Sequence, residues 1–146
     1  MEMISSDFKG QTAVITGGAR VILWDLDLDL AQETAKALGG VAWRGVAVRA
    51  SVEDCQSVSQ ALGTTLAASD RIDILVNSAG VAKPKAPLAD YDVEEFRQIV
   101  GINRLGTFHV KRAVVPQMRV QGYGRIVNIA SAAWKEGNPN ASAYSA

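Results

Sequence analysis

Cysteine and histidine are nearly absent from this sequence. The lone cysteine, Cys55, has no partner for an internal disulfide, which fits a reducing compartment. The lone histidine, His109, has no histidine or cysteine near it. No metal site is therefore expected, and His109 reads as a helix-surface or packing residue. An excess of charge of either sign is absent too. Fifteen Lys and Arg balance fifteen Asp and Glu, which excludes a general electrostatic attraction to nucleic acid or to anionic membrane. No apolar run approaches the roughly 20 residues of a membrane span. The opening MEMISSDFKG has no apolar core of a signal peptide. The expectation is a soluble, cytoplasmic protein without nucleic-acid or membrane partners. Repeats, low-complexity tracts and linkers are also missing. Residues 1–146 are read as one domain, long enough for its own core, with an ordinary 48% of hydrophobic residues.

What is present alternates between two periodicities. Thr12 to Thr16, TAVIT, is a short apolar strand that runs into Gly17-Gly18-Ala19. Val21 to Asp25, VILWD, is a second strand. Two parallel neighbours need a crossover of roughly a dozen residues, and only Gly17 to Arg20 lie between these. Either the two runs form an antiparallel hairpin, or a helical segment is missing between them. Next, Leu30, Ala31, Thr34, Ala35 and Leu38 fall at helical spacing, with Asp27 or Asp29 as cap. Val41 to Ala50 reads as a third strand, with Val46 and Val48 inward. Ser51-Val52-Glu53-Asp54 has the pattern of a capping box, which predicts a helix from there to about Ala68. Ile72 to Val76 is a fourth strand, ending in Asn77-Ser78-Ala79-Gly80, and Val81 to Tyr91 a loop. Asp92 starts a helical stretch that runs to about Val120, with Pro116 a kink or early end. Arg125 to Ile129 reads as a buried fifth strand. With one helix restored between the first two strands, the order becomes strict alternation. That predicts a doubly wound α/β domain, a parallel sheet with helices on both faces.

Chemistry is expected at the carboxyl ends of such strands, where open α/β sheets bind ligands. Asp25 ends the second strand. An acidic residue there can accept hydrogen bonds from ribose hydroxyls and repel a 2′-phosphate; alternatively it caps the following helix. The Thr-Gly-Gly turn suggests a phosphate site at a helix N-terminus, though any hairpin turn uses the same residues. Asn77, Ala79 and Gly80 would let a ligand lie close to the fourth strand, or simply make a turn. Asn103 lies in an apolar helical context and needs partners; it serves a proton relay or braces the helix. Ser131 and Tyr144 follow the fifth strand. A tyrosine hydroxyl can exchange a proton with a substrate oxygen if its pKa is drawn down from about 10, and a neighbouring serine can hold that oxygen. Alternatively, Ser131 caps a turn and Tyr144 packs on a helix.

The ordered set T-G-G-A, Asp25, N-S-A-G, Asn103, Ser131 and Tyr144 resembles the short-chain dehydrogenase/reductase family. The thirteen-residue step from Ser131 to Tyr144 matches that family's spacing, and Y-S-A resembles the start of its Y-x-x-x-K motif. The resemblance implies a Rossmann-type fold. It also implies hydride transfer between a nicotinamide cofactor and a carbonyl or secondary alcohol such as a 3-oxoacyl thioester, a sugar or a polyol. It makes Tyr144 the general acid or base, Ser131 the group that holds the carbonyl oxygen, and Asn103 the holder of a relay water. It places Gly17 in the phosphate turn, Asp25 at the ribose, Val52 at the adenine, and Asn77, Ala79 and Gly80 in the cofactor cleft. NAD is favoured over NADP, and a homodimer or homotetramer through the helices of Asp92 to Val120 is expected.

Four departures from the family pattern stand out. The T-G-x-x-x-G-x-G turn stops after Ala19, without its helix. The motif's lysine would fall two residues past Ala146. The last strands and the substrate loop have no counterpart. Ser51 and Trp134 replace a common aspartate and glycine. The expectation is a part of a longer protein, inactive alone. A non-catalytic NAD-binding or regulatory protein on the same fold is the alternative. A methyltransferase would explain the glycine turn and Asp25 but not the Ser131 and Tyr144 pair.

Overall fold

A computed structural model describes residues 12–16, 20–38, 44–82 and 86–145. Five strands form one sheet in the order β3-β2-β1-β4-β5. They are β1 (Thr12–Thr16), β2 (Arg20–Asp25), β3 (Arg44–Arg49), β4 (Ile74–Asn77) and β5 (Arg125–Asn128). β2 pairs with β3 in parallel, and β4 with β5 in parallel. β1 runs against both its neighbours, with Thr12 opposite Trp24 on one side and Asn77 on the other. The all-parallel sheet is thus corrected at β1. A connection of a few residues cannot carry a chain back to the far edge of a sheet, so the hairpin reading is the one realised.

The helices cover both faces. α1 (Leu28–Leu38) packs on one, where Val21, Leu23, Ala31 and Ala35 are buried together. α2 (Cys55–Ser69) and α4 (Thr107–Val120) cover the other, enclosing Ile22, Trp24, Val48, Val58, Leu75, Val110 and Val114. β2 is therefore apolar on both sides, which is why it reads as a continuous run rather than an alternation. Burying Trp24 requires a partner for its indole N–H; it donates to the Thr65 hydroxyl at 2.8 Å.

Side chains set the element ends. Asp27 caps α1, its carboxylate accepting from the amides of Asp29 and Leu30 at 3.1 Å each. α2 begins at Cys55 rather than in the Ser51 box. Its cap is Asp54, which accepts from the Gln56 amide at 2.8 Å. The Ser51 amide instead donates to the Ser57 hydroxyl at 2.9 Å. Residues 51–54 are thereby left as a turn at the sheet edge. Asp92 caps α3 (Val93–Val100) through the Glu95 amide. A π-helical turn, Gly101–Gly106, joins α3 to α4, and α4 continues past Pro116 to Val120. β5 forms where expected, but it is exposed instead of buried. All four of its residues are exposed; β5 is one of the sheet's two edge strands among the described residues. Two single-turn helices follow, α5 (Ala133–Glu136) and α6 (Ser142–Ser145), the latter packed against α3 and α5.

Candidate functional site

The strand register gathers the candidate residues on one edge. Trp24 and Asn77 both lie level with Thr12, and Asn77 is paired with Asn128. The carboxyl ends of β2, β4 and β5 therefore share an edge. There a cavity of about 660 Å³ opens. Asp25 and Asp27 line it from the β2–α1 junction, Ser51 and Val52 from the turn after β3, Ala79 and Val81 from the segment after β4, and Ile102 from the π-helical turn. Sequence reasoning reached Asp25, Val52 and Ala79. It did not reach Val81, Ile102 or Arg49, which carry no motif and join the site only through the fold.

Asp25 is the buried charge of this cavity, 3% exposed. One carboxylate oxygen accepts from the Asp27 amide at 2.9 Å. The other, Oδ2, is buried without a hydrogen-bond partner. Burial raises the Asp25 pKa above its ordinary 3.8, and the Asp27 amide opposes that only in part. A buried acceptor without a donor is costly, and hydroxyl groups of a ligand in the cavity would supply the donors. The acidic residues Asp27, Asp29 and Glu53 also line it, against the single cation Arg49.

The walls are tied down from the long helix. The Asn103 side-chain oxygen accepts from the Val81 amide at 2.8 Å, and its amide group donates to the Val81 carbonyl at 3.0 Å. Both ends of Asn103 are thus used in bracing. Gly80 packs beside it, and a Cβ there would lie 3.5 Å from the Asn103 oxygen, an ordinary contact. Across the cavity, His109 Nδ1 lies 2.9 Å from the Val52 carbonyl. Asn77 donates to the Asn128 side chain at 2.8 Å, which joins β4 to β5, and its own side-chain oxygen is buried without a partner.

Ser131 and Tyr144 stand beyond β5. The Ser131 hydroxyl accepts from the Ala133 amide at 3.3 Å, the turn-capping arrangement. Tyr144 is half-buried on α6, and no hydrogen bond joins the two hydroxyls. The segment before α6 is linked to the loop after β4 by the Ala86 amide donating to the Asn140 carbonyl at 2.9 Å. Gly17 lies outside the described residues. The last described residue before it, Thr16, is paired with Arg20 at the edge opposite Asp25. Among the described residues, no cluster of three or more His, Cys, Asp and Glu is placed to hold a metal ion. None of their helices is long and apolar enough to cross a membrane.

Comparison with known proteins fits this geometry. Residues 11–146 match the family described as short chain dehydrogenase. A 2-dehydro-3-deoxy-L-rhamnonate dehydrogenase (NAD(+)) of Sphingomonas sp. (strain SKA58) is 38% identical, aligned over all of this chain and 64% of its own. That alignment runs over 162 positions, sixteen more than this chain has residues. A D-threitol dehydrogenase of Mycolicibacterium smegmatis is 42% identical over 84% of this chain and 46% of its own. Among solved structures, an NAD+-bound xylitol dehydrogenase superposes with a TM-score of 0.83 at 32% identity, over 86% of this chain and 48% of its own. The chain spans from under half to just under two thirds of the length of the curated relatives it matches.

Proposed function

Because the chain belongs to the short-chain dehydrogenase family, we propose that its protein is an NAD-preferring oxidoreductase acting on a small secondary alcohol or the matching carbonyl. The observation that carries the reading is the cavity at the strand ends with the buried, unpartnered Asp25 oxygen at its side. Asp25 would accept hydrogen bonds from the adenosine ribose. A 2′-phosphate would meet Asp25, Asp27 and Asp29 together, which disfavours NADP. Val52 and Ala79 would flank the adenosine half, while Asn77 and Gly80 would shape the cleft beside β4. Gly17 would join the phosphate turn only where β1 runs parallel to β2, since Thr16 here stands at the edge opposite Asp25. When bound, the nicotinamide ring supplies or accepts the hydride.

The remaining roles belong to the segment after β5. Tyr144 would give a proton to the carbonyl oxygen in reduction and take it in oxidation. Ser131 would hold that oxygen, releasing its bond to the Ala133 amide to do so. Asn103 contributes by fixing Val81, since both ends of its side chain are engaged there. The polyol and sugar-acid relatives support a polyhydroxylated substrate, and a 3-oxoacyl-[acyl-carrier-protein] reductase at 39% identity supports an oxoacyl thioester as the second reading. The exposed Leu105 and Phe108 on the long helix suit a homodimer or homotetramer interface, and a cytoplasmic location goes with this chemistry. The test is NAD+-linked oxidation of small polyols by the whole protein. Tyr144→Phe should lower kcat by about a hundredfold or more, and Ser131→Ala should lower it less. Undiminished turnover in Tyr144→Phe would contradict the assignment.

A further inference from the structure

Residues 50–54, where the chain leaves β3, are held from three directions, and one of the holds comes from an unexpected residue. From its own strand, the Ala50 amide donates to the Asp25 carbonyl at 2.8 Å. From α2, the Ser57 hydroxyl accepts from the Ser51 amide at 2.9 Å. From α4, His109 Nδ1 meets the Val52 carbonyl at 2.9 Å. A carbonyl can only accept, so Nδ1 carries the proton and donates. One turn earlier on the same helix, Gly106 lies so close to Val52 that a Cβ there would come within 2.6 Å of Val52 Cγ2. Helix and turn are thus in contact at both side chain and backbone.

The long helix therefore grips both walls of the cavity, Val81 through Asn103 and Val52 through His109. The two grips lie on either side of the junction where the π-helical turn passes into α4. A π-helical turn shifts the phase of every side chain after it relative to those before. That shift lets one helix address two separate loops.

We propose that His109 is a positioning residue for the cofactor: its Nδ1–H fixes the Val52 wall against which the adenosine half rests, a claim that depends on the cofactor reading above. His109 touches neither cofactor nor substrate in this account. Its effect should appear in nucleotide affinity and not in the chemical step.

The experiment is titration of the whole protein with ADP-ribose, alongside steady-state kinetics with NAD+. His109→Leu removes the donor at similar size. His109→Asn keeps a donor at the same point of the side chain, since Asn Nδ2 and His Nδ1 are both attached to Cγ. Loss of one neutral hydrogen bond predicts about a fivefold weaker Kd and higher KM for His109→Leu, with kcat unchanged. His109→Asn should restore most of the affinity. If His109→Leu does not fold, His109→Asn and His109→Gln decide, with the longer Gln expected to bind more weakly. Wild-type affinity in His109→Leu, or an equal loss in every variant, would overturn the proposal alone. Failure of the wild-type protein to bind ADP-ribose would overturn the cofactor reading and this proposal with it.

Discussion

At the scale of single side chains, Asp25 carries most of the argument. Its charge is buried, its pKa is raised by that burial, and one oxygen waits for a donor. The sign follows from linkage. A carboxyl with a raised pKa in the folded state weakens folding once it ionises, so its cost is absent below pH 3.8 and complete above the raised value. A ligand that donates to the carboxylate lowers that pKa again. Adenosine or ADP-ribose affinity should therefore be flat above the raised Asp25 value and fall as pH drops through it. Calorimetric titration across that range checks it, and a pH-independent affinity would remove Asp25 from the site. Asp25 was legible in the sequence because an acidic residue ending a strand is a pattern. His109 was not, because its partner is a main-chain carbonyl 57 residues away, and no spacing rule encodes such a contact.

At the scale of elements, the caps were mostly readable and strand direction was not. Asp92 and Asp27 stand where a short acceptor before an apolar period predicts a helix start. The box at Ser51 does not form: the Asp54 amide donates to the Ser51 main-chain carbonyl at 3.3 Å, and Asp54 itself caps α2 through the Gln56 amide. Asp54→Ala should cost about 1 kcal/mol of stability, measurable by urea denaturation, while Ser51→Ala should cost less at this helix end. β1 shows a limit of another kind. An alternating or apolar run has the same pattern in either direction, so only the connection length told against a parallel partner. The 162-position alignment with the rhamnonate dehydrogenase, against 146 residues here, is consistent with a missing crossover. Insertion of a helical segment of about a dozen residues or more between Thr16 and Arg20 should turn β1 parallel to β2. It should also strengthen NAD+ binding relative to adenosine, because the end of β1 would then reach the Asp25 edge. Equal gains for both ligands, or none, would contradict this.

At the scale of the whole molecule, α1 alone packs on one face of the sheet while α2 and α4 enclose the larger core on the other. The carboxyl ends of the strands gather Asp25, Val52, Ala79 and Ile102 around one cavity. The outer strand β5 leaves Ile126 and Val127 exposed, and Ile129 just after it is 61% exposed. An exposed apolar edge strand is a template for pairing with another chain. Val127→Lys should reduce light scattering of the isolated chain on warming, with its unfolding midpoint nearly unchanged. The Ser131 and Tyr144 pair belongs to this scale too. Their thirteen-residue spacing was readable, but it fixes no distance between the hydroxyls, which depends on how α5 and α6 fold back beyond β5.

The most direct test of the account is calorimetric titration of the whole protein with NAD+ and with NADP+, repeated in Asp25→Asn. The account predicts tighter binding of NAD+ than of NADP+, with most of that preference lost in the variant. Equal or tighter binding of NADP+ by the wild-type protein, or binding of neither, would contradict it.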